Sequence, residues 1–330
     1  MAGHSAASVP RRMLSLDTVR GAAIIAVLCS HFLGTIRFGD DVDHALIVLG
    51  RGGVTLFFLL SGYLIFRNVQ TQPIATFIGR RFFKVMPSYW LNIIVILIAD
   101  LSIDNFTHFP LRSYLASLLA VSDLLGVEPV SGVFWTLLIE IKFYVFIAIQ
   151  YALFGRRYIH IILVALVMFA VIAWAIRGHG SQLLAYFPVF YLGIEIRLAE
   201  EDHWDLQALV RLAAVMVLLA GSLYLCLDQY KLGSAGYLVA SSIVFVIALR
   251  NNISNRLISI LGVTSYSNYL FHAIAGGFVF AMLGYRQGLA EIFGVAAAAI
   301  VATATAVVLY RVVEVPMVNL GRRLTARPAP

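Results

Sequence analysis

Apolar stretches of the length needed to cross a bilayer recur along all 330 residues of this chain, and no other feature restricts its fold as strongly. Ten such segments can be drawn, at roughly 15–36, 46–69, 84–103, 131–153, 158–176, 181–198, 206–226, 232–249, 257–284 and 288–316. A spanning helix needs about 20 predominantly apolar residues. The expected fold is therefore all-α and integral to the membrane, a bundle of about 10 transmembrane helices. Composition agrees: 61% of residues are hydrophobic and 12% charged, against about 25% charged in an ordinary soluble domain. The two longest segments, 257–284 and 288–316, are expected to be tilted or partly interfacial.

The distribution of Lys and Arg predicts the orientation. With the N-terminus in the cytoplasm, fourteen cations fall on that side: Arg11, Arg12, Arg67, Arg80, Arg81, Lys84, Arg156, Arg157, Arg197, Arg250, Arg256, Arg322, Arg323 and Arg327. Six fall opposite: Arg37, Arg51, Arg112, Arg177, Lys231 and Arg286. Both termini are thus expected inside, which an even number of spans satisfies. The net charge of +7 is scattered through loops, so positive-inside topology explains it and nucleic acid is not an expected partner. Cys29 and Cys226 each lie inside an apolar segment and read as small core residues, with no disulfide framework and no metal site expected. No small-residue cleavage site follows the first apolar run, which is expected to be a retained helix. No linker or low-complexity tract divides the chain, so a single domain over 1–330 is expected, with 1–14 and 318–330 as cytoplasmic tails and no appended soluble domain. The longest non-spanning stretch, 104–130, contains LRSYLASLLAVSDLLG, expected as an amphipathic or re-entrant helix begun after Pro110 and stopped by Gly126.

Ionisable residues inside spanning segments are costly and mark functional sites by default. The first segment, LDTVRGAAIIAVLCSHF, carries Asp17, Arg20 and His31. Arg20 and His31 are eleven residues apart, which brings them within about 20° of one helix face and roughly 16 Å apart along the axis. Asp17, three residues before Arg20, lies close to the same stripe. In RGGVTLFFLLSGY the glycines permit close helix approach, and Arg51 is placed to meet a substrate from the outer side. RRFFKVMPSYW puts Arg80, Arg81 and Lys84 at the expected cytoplasmic start of the third segment, a candidate anion site, with Pro87 just inside the helix. In WTLLIEIKFY, Glu140 and Lys142 do not face each other, whereas Thr136, Glu140 and Tyr144 share a face; Glu140 therefore needs a partner from another helix, a histidine or an arginine. SYSNYLFH aligns Ser265, Tyr269 and His272, with Asn268 one turn before the histidine. Depths counted at 1.5 Å per residue place His31, Glu140 and His272 together at middle-to-outer depth, with Arg20 and the 80–84 cations nearer the cytoplasm. A held polyanion beside a deeper proton-transfer site fits this layout, and so does a proton-coupled transporter.

Six motifs in order resemble the membrane acyltransferase-3 family, whose members move acyl groups, usually acetyl from acetyl-CoA, onto hydroxyls of sugars and other acceptors. Arg20, ten residues, then His31 resembles its Arg/Lys-x10-His signature. VTLFFLLSGYLIF with Ser61, RRFFKVMPSYW, WTLLIEIKFY with Trp135, SYSNYLFH, and YRVVEVP with Glu314 and Pro316 resemble its later elements. Thr55 stands where many members have Asp, Thr136 where Ser is usual, and Lys84 where Arg is usual, which keeps the charge without bidentate phosphate geometry.

The resemblance implies a membrane O-acyltransferase in a bacterial cytoplasmic membrane, using acetyl-CoA as co-substrate and no metal. It implies that His31 is the general base or first acyl acceptor, that Glu140 orients it, and that His272 is near. Arg20, Arg80, Arg81 and Lys84 would meet the CoA phosphates. Asp17, Arg51, Ser61, Trp135, Tyr144, Ser265 and Tyr269 would support the substrates. The expected partners are membrane lipids and a glycan or lipid-linked sugar acceptor, with a small secondary metabolite as the alternative acceptor. A proton-coupled exporter is the rival function. Against it, no inverted repeat and no paired Gly/Pro-interrupted helices are evident.

Overall fold

A computed structural model describes residues 11–36, 38–103, 108–227, 231–283 and 289–326. Every regular element among them is helical. Arg37, Arg286 and Arg327, counted above for orientation, lie outside the described residues, as do 1–10 and 327–330 of the expected tails.

Eight helices among the described residues are long and apolar enough to cross a membrane. They are α1 (Arg11–Leu33, counted from Met13), α2 (Asp40–Thr71), α3 (Ile74–Ser102), α5 (Phe134–Phe154), α6 (Ile159–Arg177), α9 (Leu206–Cys226), α10 (Lys231–Arg250) and the stretch Ala290–Leu324. That stretch comprises α13 (Leu289–Leu309), a π-helical turn Tyr310–Glu314, and α14 (Val315–Leu324). Large apolar side chains on α6 and α13 stay exposed, Ile176 at 80% and Phe293 at 74%, as a lipid-facing surface requires.

Two of the ten expected segments are broken rather than continuous helices. The 181–198 segment breaks at Phe187–Pro188 into α7 (Gln182–Tyr186) and α8 (Val189–Glu201). Thirteen residues of helix cover about 20 Å, short of a roughly 30 Å hydrocarbon core. Its hydrophobicity has another cause: Val189, Phe190, Tyr191, Leu192, Ile194 and Ile196 are all fully buried against other helices. The 257–284 segment breaks at Thr264 into α11 (Arg256–Val263) and α12 (Ser265–Leu283), and the first half of α12 carries the polar SYSNYLFH run.

Two boundaries also move. α3 begins at Ile74, ten residues earlier than expected, so Arg80, Arg81 and Lys84 sit on a continuous helix and Pro87 lies inside it rather than at its start. In the 104–130 stretch, helix α4 (Leu111–Leu118) begins after Pro110 as expected but ends well before Gly126, which instead closes a turn at φ +63°. The remaining loop is clamped to the bundle: Tyr89 Oη donates to the Ser117 carbonyl at 2.6 Å, and Lys142 Nζ donates to Asp123 at 2.8 Å. Lys142 thus serves the loop, independently of Glu140.

α2 is the central strut, packed along α1, α8 and α10. Its glycines act as expected where α2 crosses α8. A Cβ on Gly62 would lie 1.9 Å from the Phe190 carbonyl oxygen, and one on Gly193 would lie 2.1 Å from the Leu59 oxygen. Both obstructions are backbone, so no rotamer relieves them. Gly62→Ala should lower the melting temperature in detergent by several degrees, since overpacking typically costs about 1–3 kcal/mol. Gly221→Ala in α9, where the added methyl meets nothing within 4 Å, should leave it unchanged or raise it. Equal shifts in the two variants would show that this crossing is not tightly packed.

Candidate functional site

Three cavities lie in series through the bundle, and adjoining cavities share lining residues. The first, of about 2020 Å³, is lined by helical stripes at i, i+3, i+4, i+7 spacing. α2 supplies Leu64, Arg67, Asn68 and Thr71; α3 supplies Phe77, Arg80, Arg81 and Lys84; α14 supplies Val315, Val318, Asn319 and Arg322. Asp17 and Arg20 enter from α1, paired at 2.6 Å. Six cations therefore converge on one mouth against two acids, Asp17 and Glu314. The π turn before α14 delivers Glu314 inward, where Ser267 Oγ of α12 donates to it at 2.8 Å. Extra-wound turns of this kind recur at functional sites because they rotate one side chain off the regular stripe.

Arg20, Leu64, Arg81 and Lys84 also line the second cavity, of about 820 Å³. Its walls are largely apolar, with Val54, Phe57, Phe58 and Leu60 from α2. The polar exceptions are Ser61, Thr136, Glu140, Tyr144, Ser265, Tyr266 and Tyr269. Glu140 accepts from Ser61 Oγ and from Tyr144 Oη, the latter at 2.6 Å. The Arg81 guanidinium lies over the Tyr144 ring at 5.6 Å and over Phe77 at 5.8 Å, a geometry that fixes its direction.

Val54 and Tyr269 continue into the third cavity, of about 600 Å³, lined by Ser30 and His31 of α1, Arg51 of α2, Trp135 of α5 and Gln182 of α7. Arg51 donates to Tyr186 Oη at 3.1 Å, and Tyr186 in turn hydrogen-bonds Tyr237. Trp135 packs on Tyr186 with centroids 5.4 Å apart. Tyr269 hydrogen-bonds Thr136 at the junction of the second and third cavities. His31 is exposed on this side, while its ring meets His272 edge to face at 4.8 Å.

Of the residues singled out in the sequence, His31 and His272 are therefore adjacent, and Arg20, Arg81 and Lys84 converge. Arg80 joins them at the mouth but does not line the second cavity, and it donates to Thr325 Oγ1 at 3.2 Å and Gln72 at 3.3 Å. Glu140 departs from expectation: it lines the second cavity with the cations, and its hydrogen-bond partners are hydroxyls, one of them on its own helix. The depth count started α5 too far out. Residues 121–133 precede the helix as a loop anchored by buried Ser122, Val130 and Val133, and Gly132, Val133 and Trp135 line the cavity with His31, so α5 begins at the level of His31 and carries Glu140 nearly two turns away toward the mouth. Arg67, Arg322, Asn319, Ser30 and Gln182 were not singled out in the sequence. The stripes Leu64/Arg67/Asn68/Thr71 and Val315/Val318/Asn319/Arg322 carry a signal that could have found the first three, because each runs from apolar to polar residues along one face of an otherwise apolar segment or its end.

The fold and this arrangement define a polytopic helical membrane protein whose polar residues are gathered around three adjoining cavities, from a cationic mouth to a histidine pair. The chain belongs to the acyltransferase-3 family: residues 13–311 match the model of that family's acyltransferase domain. It is an acyltransferase, as the six motifs implied. The match ends three residues before Glu314, so the closing Glu-x-Pro element lies beyond it.

Relatives include nodulation protein 10 of Rhizobium leguminosarum bv. viciae, 24% identical over 56% of this chain and 59% of its own length. Acyltransferase MdmB of Streptomyces mycarofaciens is 25% identical over 97% of this chain and 95% of its own. Exopolysaccharide production protein ExoZ of Rhizobium meliloti (strain 1021) is 27% identical over 84% and 93%. This chain thus spans under two thirds of the nodulation protein and nearly all of the other two. No solved structure matches it.

Proposed function

We propose that this protein transfers an acyl group, acetyl in the simplest case, from cytoplasmic acyl-CoA to a hydroxyl of a glycan or lipid-linked sugar at a bacterial cytoplasmic membrane. One observation carries the reading: a mouth lined by six cations shares side chains with a largely apolar cavity, which shares side chains in turn with the cavity lined by His31. Acyl-CoA has the matching shape, a polyanionic head joined to a long uncharged arm that ends in the thioester. Arg20, Arg67, Arg80, Arg81, Lys84 and Arg322 meet the phosphates, and the arm runs past Phe57, Phe58 and Tyr266. The thioester arrives at the Thr136–Tyr269 contact.

The acceptor occupies the third cavity, where Trp135 offers an aromatic face and Arg51 and Gln182 offer donors, a combination suited to a polyhydroxylated ring. An alcohol does not attack a thioester unaided at neutral pH. His31 removes the hydroxyl proton as the oxygen bonds to the thioester carbonyl carbon, the C–S bond breaks, and His31 returns the proton to the departing thiolate. The relative named for exopolysaccharide production supports a saccharide acceptor, and that likeness comes to this chain as part of the proposal.

Inside-out vesicles given acetyl-labelled acetyl-CoA test the reading. Label should enter a glycan or lipid fraction only when the protein is present; label confined to a soluble small molecule would replace the saccharide acceptor with a metabolite. CoA itself should stabilise the purified protein. At 100 times its Kd a ligand adds about 2.7 kcal/mol, which is several degrees in melting temperature. No shift with CoA, together with no transfer, would remove CoA as the donor.

A further inference from the structure

We propose that His272 is the positioning residue that sets the tautomer of His31. The inference rests on His31 acting as the base. His272 is wholly buried in α12, and its Nδ1 lies 2.8 Å from the Tyr269 carbonyl oxygen and 3.2 Å from that of Asn268. Both partners only accept, so Nδ1 carries the hydrogen and Nε2 carries the lone pair. That lone pair is buried and has no hydrogen-bond partner among the described residues.

Its surroundings are unusual in the same way. One turn earlier, both side-chain polar atoms of wholly buried Asn268 are unpartnered; so is Oδ1 of Asn92 on α3, whose amide nitrogen donates to the Leu270 carbonyl at 3.1 Å. Four of the five such atoms among the described residues belong to these three side chains. An unmet buried polar atom costs about 1–3 kcal/mol, so their concentration beside one histidine calls for a role other than packing.

His31 supplies that role. A neutral imidazole has one N–H and one lone pair, and a base needs its lone pair aimed at the substrate hydroxyl. With the rings in contact, a turn of His31 within its open cavity lets its N–H donate to His272 Nε2. Its other nitrogen then faces the acceptor. When His31 takes up the hydroxyl proton, it keeps this bond and His272 stays neutral, so no second charge is buried beside the imidazolium. In hydrolytic triads a carboxylate orients the histidine in this way. Here Glu140, the carboxylate expected in that role, is committed to Ser61 and Tyr144 in the neighbouring cavity.

The test compares His272→Leu, which lacks an acceptor, with His272→Gln, which offers an amide oxygen. His272→Leu should lower kcat by about 10- to 100-fold, the range for losing a group that orients a histidine through its second nitrogen, with the KM of both substrates unchanged. His272→Gln should recover most of that loss. Equal kcat in the two variants, or a loss confined to KM, would overturn the assignment. Nitrogen NMR on histidine-labelled wild-type protein, with His31→Gln identifying the signal, decides the matter without a folded His272 variant. One neutral tautomer at His31 supports the proposal, and an averaged mixture overturns it. Should His31→Ala retain transfer, the base reading fails by itself, and the wild-type tautomer still reports whether the two rings are bonded.

Discussion

His31→Ala protein should fold, bind CoA and transfer nothing measurable. A positioned base contributes about 10²- to 10⁴-fold to rate, and the other titratable side chains among the described residues of the third cavity are poor bases at neutral pH, since Arg51 stays charged and the Tyr269 phenol stays protonated. The stability cost is expected to be small because the ring is exposed on its cavity side, and truncating an exposed side chain creates no enclosed void. The measurement pairs kcat for labelled acetyl transfer with the melting temperature in the presence and absence of CoA. Loss of transfer with the CoA-induced shift intact would separate the chemistry from donor binding. Transfer within tenfold of wild type would exclude His31 as the base.

The second large effect falls at the other end of the passage. Arg81→Ala should raise the KM for acyl-CoA by about 10- to 100-fold with kcat little changed. A hydrogen bond to a charged group is worth about 1.5–3 kcal/mol, and loss of binding common to ground and transition states appears in KM. Arg81 is chosen over Arg20 because removing Arg20 would leave Asp17 without its 2.6 Å partner and mix two effects. Arg81 also lines both the mouth and the passage. The same variant assayed with an acyl-pantetheine donor, which lacks the nucleotide phosphates, should show no penalty beyond that of wild type. An equal KM increase with both donors would mean that Arg81 shapes the passage through its stacking on Phe77 and Tyr144 and does not read the phosphates.

Much of this protein is legible in its sequence, for reasons that are local. Apolar length and period depend on neighbours a few residues apart, so α9 is drawn from sequence at 206–226, where the structure has it. The Arg20–His31 stripe likewise follows from the pitch of one helix. The six motifs lead to the family because each is a short run whose residues and order survive without knowledge of their contacts.

What stays hidden depends on how helices meet. Hydropathy cannot distinguish burial in lipid from burial in protein, so α8, apolar because it is enclosed by other helices, reads as a span. A count of rise per residue needs the depth at which a helix begins, and the anchored loop before α5 moves that origin, carrying Glu140 from the histidines to the cations. Only the tertiary structure unites the stripes of α2, α3 and α14 into a single mouth, and only it sets His31 against His272. Their 241 residues of separation in the chain carry no information about a 4.8 Å approach. The sequence determined which groups were placed at a cost inside the membrane; the packing decided which of them face one another.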